Sequence, residues 1–516
     1  MWVRFPLRRP RMPASLDSQR DRIHILAPGK YKMYKCLIFN VSSEQLGRTL
    51  GAYRIAHYLR EHDWNAEVID YALYWTLDEF KELTKSRIDK DTKFIGFSHM
   101  FSVWSVTLEN FTEWLKIEYP NVVLISGSGV APQFESKCMD YYIQGFGENA
   151  LLVLLKWLFS NGKLPKFSLF NKKLINGNEM YPSFPMKSLM VKYQDRDFIR
   201  SDEWLAVEFS RGCKFKCAFC NFPVLGVKGD YSRDASDYYT QIMDAYDRFG
   251  VTNYVVADET FNDRTEKITK FADATQLMPF KPWFTGFIRA DLLISRKEDK
   301  EELARLGFLG HHYGIESFNK ESVKVIGKGM DPERIKAGLI DIKNYFTARG
   351  QYRGTISFII GLPGDTVEQT ESTIDWLKEN WQGQSYVPFS LEIPIGKFDT
   401  TSKFSIDYKK YGYTVMDNNI NWGAFGQHGM ISTTILPWQN EFMNINQAND
   451  LQEKMYQELY KKENGFTLNC WNISSSGLNG NVTTRLNQLA IVNMGNSELT
   501  KLRIKSYKDK KLGTQK

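Results

Sequence analysis

Residues 204–220 read WLAVEFSRGCKFKCAFC, an apolar run of strand character that passes through Arg211 and Gly212 into a loop holding Cys213, Cys217 and Cys220. Three thiols in so short a span have the density of a metal site, whereas six cysteines in 516 residues are too few to staple the chain with disulfides. A structural zinc site needs four protein ligands, and after Cys220 no Cys or His occurs before His311. Thiolates also hold iron in cubane clusters, and three of them leave one iron open to a small molecule. The C-x3-C-x2-C loop at a strand end is therefore read as the seat of a [4Fe-4S] cluster on Cys213, Cys217 and Cys220, with a distorted zinc knuckle or chance spacing as the alternatives. Reduced thiols of this kind point to the cytoplasm.

Working outward, apolar runs at 205–210, 254–258, 283–289, 312–317, 352–361 and 386–394 read as strands, with helical patterns between them. Asp331 as cap, Pro332 at the first helical position and Gly350 as stop punctuate one of these helices. Thr366 to Gln369 has the form of a capping box. Alternation of this size predicts a partial (β/α)6 barrel over 204–394, because eight units would not fit.

Upstream, 22–28, 66–70, 93–99, 121–127 and 141–147 read as strands, and Ala52, Ile55, Ala56 and Leu59 form one helical stripe. The expected fold class is α/β: a doubly wound domain over 22–160, followed by the barrel. Between them, 161–203 loses periodicity among Pro165, Pro182 and Pro185 and reads as a linker. Residues 395–516 show one good helix, about 447–462, and no pattern with readable chemistry. No repeat of fixed period appears, which excludes a solenoid.

Composition agrees with a folded enzyme: 42% apolar and 25% charged residues. The best apolar run, 151–159, is interrupted by Lys156 and falls short of the roughly 18 residues of a membrane span. Arg4, Arg8, Arg9 and Arg11 lie among Pro6, Pro10 and Pro13, so 1–21 reads as a loose basic tail instead of an amphipathic transit helix. The net charge of +7 is concentrated at the two ends, both expected to be solvated tails, which leaves about −3 for the body and argues against a nucleic-acid groove. Asn472 and Asn481 match a glycosylation pattern that has no meaning in a reducing compartment. Cys36, Cys138 and Cys470 are scattered, and buried structural thiols are the default reading. Cys470, beside Trp471, has the further reading of a hydrogen-atom donor to a substrate radical.

The cysteine loop and the strand ends after it resemble the radical S-adenosylmethionine (SAM) superfamily over 204–394. The resemblance implies that the open iron is chelated by the amino and carboxylate groups of SAM, with Phe219 against the adenine. It places Asp258 and Glu259, within ADETF at 257–261, on the SAM amino group. Arg289, in GFIRAD at 286–291, is implied as a SAM-binding residue, and Glu316 and Ser317, in YGIES at 313–317, reach the ribose hydroxyls or the methionine carboxylate. Gly361, in FIIGLPGDT at 358–366, serves as an adenine platform. Each has a local alternative: Asp258 and Glu259 favour the next helix N-terminus, Arg289 pairs with Asp291, Ser317 caps the helix near Asn319, and Gly361 is a turn glycine.

In order and length, residues 22–160 resemble the cobalamin-binding domain of many members, with Ser98, Gly127, Gly129 and Gly145 at the positions that surround the nucleotide tail. The departure is the missing Asp-x-His-x-x-Gly segment, which removes a histidine beneath the cobalt; a doubly wound domain without a corrinoid stays open beside it. His99 reads as a histidine satisfied by its surroundings. The implied function is reductive cleavage of SAM to a 5′-deoxyadenosyl radical for hydrogen abstraction, with cobalamin-dependent methyl transfer as the extension. A non-catalytic corrinoid or cluster sensor and radical modification of nucleic acid are the alternatives. The implied partners are a small-molecule or peptide substrate and an electron donor such as flavodoxin or ferredoxin.

Overall fold

The computed structural model describes residues 33–41, 48–99, 104–128, 136–168, 172–180, 190–220, 231–393, 402–416, 422–423, 434–460 and 501–513. Its first sheet is built from β1 (Tyr34–Val41), β2 (Trp64–Ile69), β3 (Thr92–His99), β4 (Val123–Ser128), β5 (Tyr141–Gln144) and β6 (Leu174–Asn176). All pair in parallel in the order β2-β1-β3-β4-β5-β6. Near-continuous burial of β1 and β3 matches a sheet covered by helices on both faces. Those helices include α1 (Leu50–Arg60), α2 (Leu77–Arg87), α3 (Val106–Glu118), α4 (Glu148–Phe159) and the single turn α5 (Gly177–Met180). Winding reverses between β1 and β3, the switch point at whose carboxyl edge such folds bind ligands.

The second sheet runs β14-β13-β12-β11-β10-β7, every neighbour parallel. Its strands are β7 (Trp204–Val207), β10 (Asn253–Val256), β11 (Trp283–Ile288), β12 (Phe308–Glu316), β13 (Arg353–Ile360) and β14 (Ser385–Ser390). Consecutive strands lie side by side and β7 does not close on β14, which is the open six-stranded barrel expected. A two-residue ladder, β8 (Ser210–Arg211) with β9 (Tyr231–Ser232), joins both ends of the cysteine loop. The outer layer carries α6 (Ala235–Phe249), α7 (Thr265–Gln276), α8 (Ala290–Ser295), α9 (Glu298–Leu306), α10 (Lys320–Val325), α11 (Pro332–Thr347) and α12 (Val367–Asn380). Capping follows local chemistry: Asp331 accepts from Glu333 N with Pro332 at the first position, and Thr366 with Gln369 forms a complete capping box. Beyond the barrel lie α13 (Lys403–Asp407), α14 (Ile445–Tyr460) and α15 (residues 501–512).

Three sequence expectations change, and a fourth, the strand at 22–28, falls outside the described residues. The strand that precedes α1 is β1, paired between β2 and β3, a run that the sequence reading passed over because apolar runs mark burial without saying which run pairs. Residues 161–203 are not without strands: β6 adds to the sheet edge, too short to show a period. The helix expected at about 447–462 is α14, two residues earlier. The basic C-terminus is not frayed, for 501–512 is helical and docked on the first sheet. Ile504 and Tyr507 enter its core, and the Tyr507 hydroxyl accepts from Asp70 N at 2.9 Å. Lys511, 1% exposed, donates to Glu67 at 2.8 Å, and Arg503 pairs with Asp202 at 2.8 Å. Charges that look like a tail in sequence are neutralised by acids hundreds of residues away.

Alongside this helix, buried Arg48 donates to Asp70 at 2.6 Å, to Glu203 at 2.5 Å and to the Asp197 carbonyl at 2.8 Å. It ties the segment entering the barrel to the first domain. No helix among the described residues is long and apolar enough to cross a membrane.

Candidate functional site

The cysteine loop leaves the mouth of the second sheet between β8 and β9, and all three thiols are half-buried there. Its geometry is set from below by Asp258, which follows β10 and accepts from Phe209 N at 2.8 Å and Ser210 Oγ at 2.5 Å. Burial raises the Asp258 pKa to about 6, and Lys267, 3.7 Å away, opposes that rise. Asp258 is thus turned into the protein, pinning the loop's entry, and the expectation that it reaches SAM is replaced by this positioning role. Lys267, itself buried, also donates to Ser210 Oγ at 2.9 Å.

Side chains on the following strand ends meet the loop. Thr260 Oγ1 lies 3.6 Å from Cys213 Sγ. Arg289 Nη1 lies 3.9 Å from Cys217 Sγ, its guanidinium stacks 3.8 Å from the Phe215 ring centre, and Nη2 pairs with Asp291 at 2.6 Å. The ion pair with Asp291 and the approach to the cysteines therefore coexist. Ala218 N donates to the Ile326 carbonyl at 3.1 Å, and the Phe404 amide donates to the Ala218 carbonyl at 3.4 Å, so chain from α10 and α13 flanks the loop. Phe219 is half-buried, with Lys328 Nζ 5.9 Å from its ring centre.

Among the described residues no three His, Cys, Asp or Glu side chains close around a single ion. A cubane does not require that, since its thiolates bind different irons. Three half-exposed thiols on one loop, with no histidine or carboxylate among the described residues completing a tetrahedron, fit such a cluster with an open iron.

Glu259 has no cationic partner within ion-pairing distance among the described residues. Burial, with the Asp258 and Glu208 carboxylates nearby, raises its pKa to about 8. A half-buried carboxylate whose raised pKa is opposed by the charge of Arg211, with no ion pair of its own among the described residues, suits an incoming ammonium. Glu316 sits at φ +71°, left-handed and costly for a residue with a Cβ, and pairs with Lys328 at 3.1 Å.

Two expected SAM contacts are committed elsewhere. Ser317 Oγ donates to Asp365 at 2.9 Å and accepts from Asn319 N, while Asn319 itself caps α10. Gly361 has φ +95°, and a Cβ there would stand 2.4 Å from the Trp438 ring. Its carbonyl accepts from Tyr413 at 2.8 Å. The glycine's close approach is thus to an indole from the region after the barrel, not to an adenine on that side. Gly361→Ala is expected to destabilise the protein by about 1–3 kcal/mol, from left-handed strain and overpacking. Chemical denaturation checks this, and in a Trp438→Ala background the cost of Gly361→Ala should fall to its left-handed strain alone.

In the first domain a cavity of about 230 Å³ lies at the switch point, lined by Ser98, Gly127 and Gly145 together with Phe97, Ile125 and Ile143. Gly129 lies outside the described residues. A Cβ on Gly127 would find nothing closer than 3.9 Å and would project into this space, whereas one on Gly145, at φ +81°, would meet Asn178 at 2.5 Å. The volume is below the roughly 300–1,000 Å³ of drug-sized sites and admits a flat heteroaromatic group, not a whole macrocycle. The residues present fit the nucleotide tail of a corrinoid. His99 Nε2 is engaged with Ser126 Oγ at 3.0 Å, as expected for a satisfied histidine.

Sequence reasoning missed what joins the two halves. Glu148, first residue of α4 and part of the cavity wall, accepts from Arg211 Nη2 at 2.5 Å and from Arg54 at 3.3 Å. Arg211 also donates to Glu208 at 2.6 Å and lies 4.3 Å over the Phe146 ring. All four charged residues are buried. Against the cost of burial, Arg211 and Arg54 hold the Glu148 pKa down at about 2. The only signal in the sequence was Arg211 itself, two residues before the first cysteine, with nothing to name its partner.

Comparison with known proteins adds the following. Residues 207–377 match the model of the Radical SAM superfamily. An uncharacterized methyltransferase of Pyrococcus horikoshii is 24% identical over 273 residues, 50% of this chain and 57% of that protein, so the alignment spans little more than half of the relative. The fold is similar to that of TsrM from Kitasatospora setae, a radical S-adenosylmethionine methyltransferase solved with tryptophan substrate and a SAM analog. The TM-score is 0.57 at 14% identity, covering 75% of this chain and 79% of that one. It is also similar to the cobalamin-dependent S-adenosylmethionine radical enzyme OxsB with aqua-cobalamin bound: TM-score 0.53 at 16% identity, covering 92% and 75%.

Proposed function

From a chain that carries a radical SAM domain over residues 207–377, joined to a doubly wound sheet like that of cobalamin-dependent members, we propose a radical SAM methyltransferase that also binds a corrinoid. The observation that carries this reading is the single buried ion-pair network that connects the cavity at the switch point to the root of the cysteine loop. When bound, the cluster and SAM supply the radical chemistry and the corrinoid a methyl carrier.

The chain's own residues do the positioning. Cys213, Cys217 and Cys220 hold iron, with Thr260 and Arg289 against two of the sulfurs. Glu259 receives the SAM ammonium; Glu259→Gln is expected to raise the SAM KM about tenfold, the loss of one charge-assisted hydrogen bond. Phe219 and Glu316 border the same mouth. Trp438 and Tyr413 cover the end of β13 and exclude water from that side. The substrate is a small molecule or peptide, and the reductant a carrier protein.

Anaerobic reconstitution followed by a product assay with dithionite and SAM tests the reaction. S-adenosylhomocysteine together with 5′-deoxyadenosine is the expected outcome; 5′-deoxyadenosine alone would leave a radical enzyme without methyl transfer. Equilibrium titration with hydroxocobalamin tests the corrinoid separately, and absence of binding at tens of micromolar would overturn that part.

A further inference from the structure

Arg289, at the end of β11, reads in sequence as a SAM contact, and the structure commits its polar groups to the protein. Asp291 takes two of the three guanidinium nitrogens, Nε at 3.0 Å and Nη2 at 2.6 Å, a fork that leaves the Nη1 corner facing Cys217 Sγ, 3.9 Å away. The guanidinium lies 3.8 Å from the centre of the Phe215 ring, itself part of the cysteine loop. Its backbone is clamped as well: Asn262, fully buried, donates to the Arg289 carbonyl at 3.0 Å and accepts from the Arg289 amide at 2.8 Å. Three partners thus fix the backbone, the plane and one edge of this residue. At 9% exposure the cation sits where water screens it poorly. Buried Lys267, below the loop, differs: Asp258 and Asp263 stand against it at 3.7 and 2.5 Å, two carboxylates for one ammonium. Thr260, 3.6 Å from Cys213 Sγ, is neutral.

We propose that Arg289 tunes the iron–sulfur cluster: its guanidinium, aimed at Cys217 Sγ, stabilises the reduced form and raises the reduction potential. The inference rests on the cluster assignment above, and it makes Arg289 a positioning residue that acts through a cysteine sulfur. The step is the transfer of one electron. An external one-electron reductant is oxidised, the cluster gains one negative charge, and no proton or covalent bond moves. Hydrogen bonds and charge at the ligand sulfurs set such potentials, so a fixed cation beside one sulfur favours the reduced state over the oxidised one. Asp291 holds the opposite edge of the guanidinium, and the sulfur therefore meets the positive corner of the pair. With a neutral side chain in that place, a reductant of given strength would reduce a smaller fraction of the enzyme.

The test is a mediated redox titration of the anaerobically reconstituted enzyme, read by the electron paramagnetic resonance signal of the reduced cluster. Iron content and equilibrium binding of SAM to the oxidised protein are measured beside it. Arg289→Gln is expected to keep iron at the parental level and SAM affinity within about twofold. It should cut the reduced-to-oxidised ratio at a fixed potential about tenfold, a midpoint lower by about 59 mV for one electron. Arg289→Lys returns the charge without the fork and should recover part of that shift. Asp291→Asn removes the carboxylate and leaves the cation, so its midpoint should rise. A merely structural role would not give opposite signs, because loosening the loop moves both variants the same way. A parental midpoint in Arg289→Gln would overturn the proposal, and weaker SAM binding with that unchanged midpoint would put a SAM contact in its place. Should Arg289→Gln fail to hold iron, Asp291→Asn decides: an unchanged or lowered midpoint there overturns the tuning role. A parental protein that holds no iron would strike the cluster assignment itself, and this inference with it.

Discussion

Cys217→Ala protein, reconstituted anaerobically with iron and sulfide, is expected to show background iron, no broad visible absorbance and no cleavage of SAM. The effect is total because a cubane on three protein thiolates has none to spare. Cys217 is the most informative of the three, because Arg289 Nη1 lies 3.9 Å from its sulfur and would be left facing an alanine. Iron content and SAM cleavage at parental level in this variant would falsify the cluster assignment. Cys36, buried at 1% exposure with its pKa pushed well up by burial, serves as control, and Cys36→Ala should leave iron content unchanged.

Arg211→Ala is the second large effect expected. Removing the guanidinium leaves Glu148 with Arg54 alone and deprives Glu208 of its 2.6 Å partner, all in a buried setting. Breaking a buried pair by removing one member costs about 3–5 kcal/mol. Urea denaturation measures the loss. Glu148→Gln and the double variant complete a cycle in which the two single losses should not add. A loss below about 1 kcal/mol would show that the network does not join the domains. The pH dependence has a definite sign. The Glu148 pKa is depressed from 4.5 to about 2, so its contribution is fully present above pH about 4.5 and is lost as pH falls toward 2. Glu148→Gln should flatten that acid limb and leave stability above pH 5 lower but level with respect to this group.

Much of the architecture was legible locally. Six parallel barrel strands fell close to where apolar runs between helical patterns put them, and the capping residues Asp331, Thr366 and Gln369 act as their types demand. The first sheet was legible in class but not in membership, since β1 and β6 were not recognised. Among site residues, Ser98, Gly127 and Gly145 stand on one cavity, and Glu259 and Arg289 stand on strand ends beside the loop. Asp258, Ser317 and Gly361 were given to SAM by resemblance; in the fold their contacts go to Ser210, Asp365 and Trp438.

Residue spacing along the chain was enough to specify three thiols on one loop and strands that alternate with helices, because periodicity and short covalent distances are properties of neighbours in sequence. Packing alone decided which distant groups meet. Arg211 finds Glu148 across 63 residues, Tyr507 reaches Asp70 across 437, and the indole of Trp438 takes the space that Gly361 leaves open. Such meetings depend on how layers stack once water is excluded, and a buried charge or an uncovered glycine states only that a partner is required, not where in the chain it lies.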